Sequence, residues 1–248
     1  MSTSLTRRDL LAGAAVGVAL LGGQAAAGPA TRPTASRPTI RKALGLDMLP
    51  TSLALPDRFM LAADLGFEGV EVATIDDDNE VEAMRSAADR AGIVIHSVMD
   101  ALSWQFPLSS DDPAVVDQGL DILRRSIRNA KDLGGDNVLL VPGVVTPQVR
   151  YQQVWERSQR EIRKVLPFAA KLGVVIAIEN VGNRFLLSPL EFARYVDEFR
   201  DPFLRAYFDV GNSVILWSYP QDWLLTLGRR VHRIHLKDCD FARKRFVR

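Results

Sequence analysis

The feature that most constrains this chain is a repeat in its hydrophobic periodicity. From Ala43 onward, short β-branched runs alternate with longer amphipathic stretches. The runs are Ala43–Met48, Gly69–Ala73, Ile93–Val98, Asn137–Pro142, Val174–Glu179, Arg205–Val210 and Val231–Lys237. Several are apolar at consecutive positions, as in Val174-Val175-Ile176-Ala177-Ile178. A strand apolar on both faces must be covered on both, as in a parallel sheet wrapped by helices. The stretches between carry the helical period. Val116, Gly119, Leu120, Leu123, Ile127 and Ala130 share one face of 113–133. Val154, Ser158, Ile162, Val165, Leu166 and Ala169 share one face of 151–172. A glycine closes each of five helices, at Leu65-Gly66, Ala91-Gly92, Leu133-Gly134, Leu172-Gly173 and Leu227-Gly228, and a strand soon follows.

Such a βα repeat fits a closed (β/α)8 barrel or an open doubly wound sheet. A doubly wound nucleotide binder carries a glycine-rich turn after an early strand. Here that position reads Leu46-Asp47-Met48-Leu49-Pro50, and no Walker-type loop occurs anywhere. The expected fold class is therefore α/β, a (β/α)8 TIM barrel over 41–248. Seven βα strands are visible, so the barrel reads as incomplete at its C-terminus. Active sites of such barrels sit at the C-terminal ends of the strands.

Composition narrows the chemistry. Apolar residues make up 47% of the 248, enough for one sizeable core. The 31 basic and 30 acidic residues nearly cancel, which excludes nucleic-acid binding by bulk charge. Cys239 is the single cysteine, so there is neither an internal disulfide framework nor a cysteine-rich zinc module. With three histidines, His96, His232 and His235, any metal site must lean on carboxylates.

The first 27 residues read as an address. Arg7 and Arg8 precede Asp9-Leu10-Leu11, an uncharged Ala/Gly/Leu/Val run follows, and Ala25-Ala26-Ala27 offers a cleavage site. The arginine pair resembles the twin-arginine export signal, which implies a periplasmic or extracellular protein. The strongly apolar part, 10–21, is shorter than the roughly 20 residues a membrane span needs, so no stable span is expected after cleavage. Residues 28–40, with Pro29, Pro33 and Pro38, read as a disordered linker.

Polar residues collect at the expected strand ends: Glu71 in strand 2, His96 in strand 3, Glu179 and Asn180 after strand 5, Asp209 after strand 6 and His235 in strand 7. Asp209 lies 30 residues after Glu179, and His235 26 after Asp209, each about one βα unit. Three consecutive strands thus deliver one metal-competent side chain each to one rim. Two carboxylates and an imidazole suit one divalent ion such as Mn²⁺, Mg²⁺, Co²⁺ or Zn²⁺. The competing reading is that these acids form rim salt bridges, for example with Lys237.

The ordered set Ile178-Glu179-Asn180, Phe185-Leu186-Leu187-Ser188-Pro189-Leu190-Glu191, Tyr207-Phe208-Asp209-Val210-Gly211-Asn212 and His235-Leu236-Lys237-Asp238 resembles the sugar isomerase/epimerase superfamily of xylose-isomerase-like TIM barrels. The opening Gly66-Phe67-Glu68-Gly69-Val70-Glu71 is similar too. The resemblance runs from Lys42 to the C-terminus. Its nearest branch is the hexulose-6-phosphate isomerase and ketopentose 3-epimerase type. It implies one divalent metal held by Glu, Asp, His and a second Glu, and Glu179, Asp209 and His235 match the first three. The implied chemistry moves a proton next to a ketose carbonyl through an enediolate, with Glu179 both ligand and acid/base. The second Glu belongs to strand 8. The sequence departs from the pattern there, because no Glu or Asp follows Asp240, and the expectation is a barrel truncated before strand 8.

The remaining assignments follow from position. His96 contacts substrate hydroxyls or is a satisfied barrel histidine. Glu71 touches substrate or forms a rim pair. Asn180 and Asn212 orient ligands or substrate. Lys237, two residues past His235 on the same face, pairs with an acid or binds substrate. The expected partner is a small-molecule sugar or polyol, with a homo-oligomer also admitted. A carbohydrate-binding protein without turnover, or an inactive fragment, is the alternative of a different class.

Overall fold

The computed structural model of the protein describes residues 40–240, 243, 245 and 246. The expected signal segment 1–27, and the linker up to 39, lie outside the described residues. The elements run β1 (Ala43–Gly45), α1 (Leu55–Asp64), β2 (Gly69–Ala73), α2 (Asp78–Ala91), β3 (Val94–Met99), α3 (Pro113–Asp132), β4 (Asn137–Leu140), α4 (Tyr151–Leu172), β5 (Val175–Glu179), α5 (Pro189–Asp197), β6 (Leu204–Asp209), α6 (Val210–Ile215), α7 (Pro220–Leu227) and β7 (Val231–His235). A short antiparallel pair follows, β8 (Cys239–Asp240) with β9 (Arg245–Phe246). No described helix is long and apolar enough to cross a membrane.

β1 to β7 form one sheet in sequence order, and every pairing is parallel. This is a TIM barrel sheet of seven strands among the described residues, with helices between them. The first strand is shorter than expected. Leu46–Met48 turns into a 3-10 helix, and Asp47 lies over Gly45, where a β-carbon would lie 2.6 Å from Asp47 Oδ1. The other strand ends move by one or two residues, and α4 spans Tyr151–Leu172 as its period predicts.

The sheet curls strongly. β2 and β7 are five strand steps apart, which in a flat sheet would separate them by roughly 24 Å. Yet side chains of Glu71 on β2 and His235 on β7 meet at 3.0 Å across the interior. Two register shifts assist, one between β2 and β3 at Val70/Glu71, the other between β6 and β7 at Ala206/Tyr207. The extra residues are His96 and His232, which have no partner in register. Such bulges increase twist and re-aim neighbouring side chains.

Strand parity then sorts the residues. Val70, Ile176, Ile178, Ala206 and Phe208 point outward into the helix-covered core, each fully buried. Phe208 stacks on Trp223 of α7 with ring centroids 5.7 Å apart. The opposite parity faces the lumen. There Leu139, Ala177 and Tyr207, with Met99 and Val175, make a small apolar layer. One more step along each of β5 and β6 brings the carboxylates to the rim.

Asp100, directly after β3, is only 3% exposed, and its Oδ1 has no hydrogen-bond partner. Burial pushes its carboxyl up to about 7, against the amides of Leu102 and Ser103. An aspartate in the unfolded chain titrates near pH 4, at about 3.9. The folded state thus binds this proton more tightly. The resulting stability is complete below about pH 4 and is lost as pH rises through about 7. Asp100→Asn removes that loss. Its melting temperature, relative to wild type, is expected to be higher at pH 8 than at pH 5. A difference equal at both pH values would show that Asp100 ionises normally.

Candidate metal and active site

Glu179 closes β5, Asp209 closes β6 and His235 closes β7, with Asp209 in register with His235 and Glu179 with Tyr207, two residues before Asp209. Each offers one ligand atom, and the three atoms lie within 4.8 Å of one another. His235 Nδ1 is 3.0 Å from Glu179 Oε1 and 3.7 Å from Asp209 Oδ2. Ligand atoms that share one ion at about 2.1 Å stand roughly 3 Å apart. The triad therefore fits a divalent ion with small adjustments.

Asp209 is held by a clamp of two asparagines. Asn180 Nδ2 donates to the Asp209 carbonyl at 2.9 Å, and the Asp209 amide donates to Asn180 Oδ1 at 2.7 Å. The Asn212 amide donates to Asp209 Oδ1 at 2.7 Å, so Asp209 also caps α6. Asn212 Nδ2 closes the ring on the Asn180 carbonyl at 2.9 Å. Oδ1 is thereby occupied. Oδ2 stays buried with no aligned hydrogen bond, although Lys237 Nζ approaches it to 2.6 Å. A buried carboxylate oxygen aimed at two other ligand atoms matches what a cation would complete.

The electrostatics agree. Three buried carboxylates, Glu71, Glu179 and Asp209, face two cations, His235 and Lys237. Burial disfavours the His235 imidazolium, but the surrounding carboxylates of Asp209, Glu179 and Glu71 outweigh it and push the ring up to about 11. Burial drives the Glu179 carboxyl above the usual range, against the pull of His235. Burial also raises Asp209, yet His235, Lys237 and the Asn212 amide outweigh it and hold the group low. Buried carboxyls with perturbed titration cluster at functional sites, which makes this rim the candidate site.

The other expected residues divide. Glu71 joins the cluster, with Oε1 on His235 Nε2 and Oε2 accepting from the Tyr207 hydroxyl, both at 3.0 Å. Lys237 joins through Asp209. His96 does not. It stands one layer below, its ring 3.2 Å from where a β-carbon on Gly69 would be, and burial lowers its pKa against the opposing charge of Glu71. Tyr207 was missing from the sequence-based set. The available signal was parity, since it lies two residues before Asp209 on the same face and brings a hydroxyl into an apolar run. Beside Glu71 a cavity of about 360 Å³ opens at the rim, lined among others by Asp47, Arg58, Thr74 and Met99.

The chain is similar to known proteins over most of its length. The sequence profile of the xylose isomerase-like TIM barrel matches residues 59–247. L-ribulose-5-phosphate 3-epimerase UlaE of Escherichia coli O1:K1 / APEC is 26% identical over 201 residues, covering 77% of this chain and 70% of the relative. Among solved structures, D-psicose 3-epimerase, crystallised in the presence of D-fructose, superposes with a TM-score of 0.71 at 21% identity, over 80% of this chain and 73% of the other. L-ribulose 3-epimerase superposes with a TM-score of 0.72 at 18% identity, over 81% and 70%. These homologues are sugar epimerases, and the structural matches share the fold. The chain belongs to the xylose isomerase-like TIM barrel family.

Proposed function

We propose that the protein is a metal-dependent epimerase or isomerase of a sugar or sugar derivative. The observation that carries this reading is the triad Glu179, Asp209 and His235, gathered at the C-terminal rim of a barrel whose relatives are sugar epimerases. One divalent ion, Mn²⁺, Mg²⁺, Co²⁺ or Zn²⁺, would be held by these three side chains. Bound there, such an ion polarises a ketose carbonyl and stabilises negative charge on its oxygens.

The chain's own residues supply the first proton transfer. Glu179 accepts the proton of the carbon next to the carbonyl. The electron pair of that C–H bond becomes the C=C bond of an enediolate, and Glu179 is left as a carboxylic acid. Returned by Glu179 to the neighbouring carbon, the proton moves the carbonyl; inversion of the first carbon requires a second acid on the opposite face, the part that the family resemblance gives to the Glu of strand 8. Asn180 and Asn212 fix Asp209 in place and face the site with it. Lys237, 39% exposed, and Glu71 are the nearest candidates for substrate hydroxyls, and His96 lies deeper. The substrate is a small sugar or polyol. Export through the twin-arginine pathway, read from Arg7-Arg8 and the apolar run behind them, belongs to the same proposal.

Two measurements test it. With Mn²⁺ at about a hundred times its dissociation constant, the wild type should gain roughly 2.7 kcal/mol of stability. Asp209→Asn should gain far less, and equal gains would remove Asp209 from the site. With Mn²⁺ and free ketoses in D₂O, NMR should show deuterium entering at the carbon beside the carbonyl. Glu179→Gln should slow that exchange by at least about 10²-fold. Exchange at the wild-type rate in Glu179→Gln would sink the proton-transfer role.

A further inference from the structure

His235 is gripped from both sides, and the two sides differ in kind. Nδ1 faces the other two ligand atoms, Glu179 Oε1 at 3.0 Å and Asp209 Oδ2 at 3.7 Å. Nε2 faces away from them, toward Glu71 Oε1 at 3.0 Å. Glu71 is 7% exposed, and its second oxygen is occupied by the hydroxyl of Tyr207, itself 1% exposed. The rings of Tyr207 and His235 also pack, with centroids 4.4 Å apart. The chain Tyr207–Glu71–His235 thus links β6, β2 and β7 across the lumen.

The chemistry of this chain is directional. An ionised carboxylate only accepts, so in the metal-free site both ring nitrogens donate, Nδ1 to Glu179 and Nε2 to Glu71; a cation on the triad side needs the Nδ1 lone pair, and the proton that stays is the one Nε2 gives to Glu71. A neutral imidazole protonated at Nε2 has its lone pair on Nδ1. That lone pair points at Glu179 and Asp209, where the proposed ion sits. Tyr207 stiffens the arrangement by holding the Glu71 oxygen not used by His235. Outer partners of this type orient ligating histidines in metal sites generally.

We propose that Glu71 and Tyr207 are positioning residues that commit His235 to bind metal through Nδ1. This rests on the reading of the triad as a metal site. It gives Glu71 a task distinct from substrate contact, and it gives a task to Tyr207, whose hydroxyl would otherwise be costly to bury in an apolar layer.

The test uses the full chain labelled with ¹⁵N-histidine and titrated with Zn²⁺, read by NMR and by chelator competition. In the zinc-loaded wild type, the His235 Nδ1 resonance should move to the metal-bound range while Nε2 keeps its proton. Glu71→Gln should weaken zinc binding by about 10–100-fold. It should also mix the two ring nitrogens, because a glutamine amide can donate to Nε2 as well as accept from it. Tyr207→Phe keeps all charges and should weaken binding in the same direction, by less. That variant separates positioning from the plain loss of a negative charge, and circular dichroism checks that both variants fold. Wild-type affinity and an unchanged ring pattern in both variants would overturn the proposal. Zinc on Nε2 in the wild type would overturn it too, while leaving the metal site intact. A wild type in which zinc moves neither nitrogen of His235 would instead bring down the metal reading beneath it.

Discussion

The contact between Glu71 and His235 is the constraint on which the rest of the site depends. It joins strands five steps apart in the sheet, at 3.0 Å. Nothing local to either strand creates it. It exists because seven parallel strands curl far enough to bring β2 opposite β7, with one register shift directly before Glu71 and another three residues before His235. The site is therefore a property of the whole sheet. A change that flattened the curl would separate Glu71 from His235 long before it disturbed any one strand.

Parity explains why charges can be collected there at all. Along β5 and β6, outward positions carry Ile176, Ile178, Ala206 and Phe208, which bury against the helices. Inward positions step from an apolar layer, with Ala177 and Tyr207, to the carboxylates Glu179 and Asp209. The apolar layer floors the site and lowers its dielectric. That makes every unpaired charge above it more costly and every paired one stronger. Hence the density of partners: Asp209 alone engages Asn180, Asn212 and Lys237.

Much of this was legible in the sequence because the signals are periodic. The βα alternation, the glycine at each helix end and the spacing of Glu179, Asp209 and His235 are local patterns, and the rim cluster follows from them once a barrel is assumed. Three things were not legible. Tyr207 reads as one more aromatic residue in a buried strand, because its role depends on a partner 136 residues away. His96 reads as a rim residue, because a register shift cannot be seen in one strand alone. The early end of β1 was not legible either, because Leu46–Met48 turns into a 3-10 helix that hydrophobic period does not encode.

Lys237 reconciles the two sequence-based readings of the rim. It forms the salt bridge that the simpler reading expects, with Nζ 2.6 Å from Asp209 Oδ2. That oxygen is also the one the triad would offer to an ion. The ammonium and the ion would claim the same site, so salt bridge and metal site are alternative occupations of one acid. Lys237 is the more exposed partner, at 39%, on a long flexible stem. His235 and the Asn180–Asn212 clamp, by contrast, are fixed from several directions. An ion at this oxygen would have to displace Lys237, the more exposed of the two partners, while the other oxygen of Asp209 accepts from the Asn212 amide at the cap of α6.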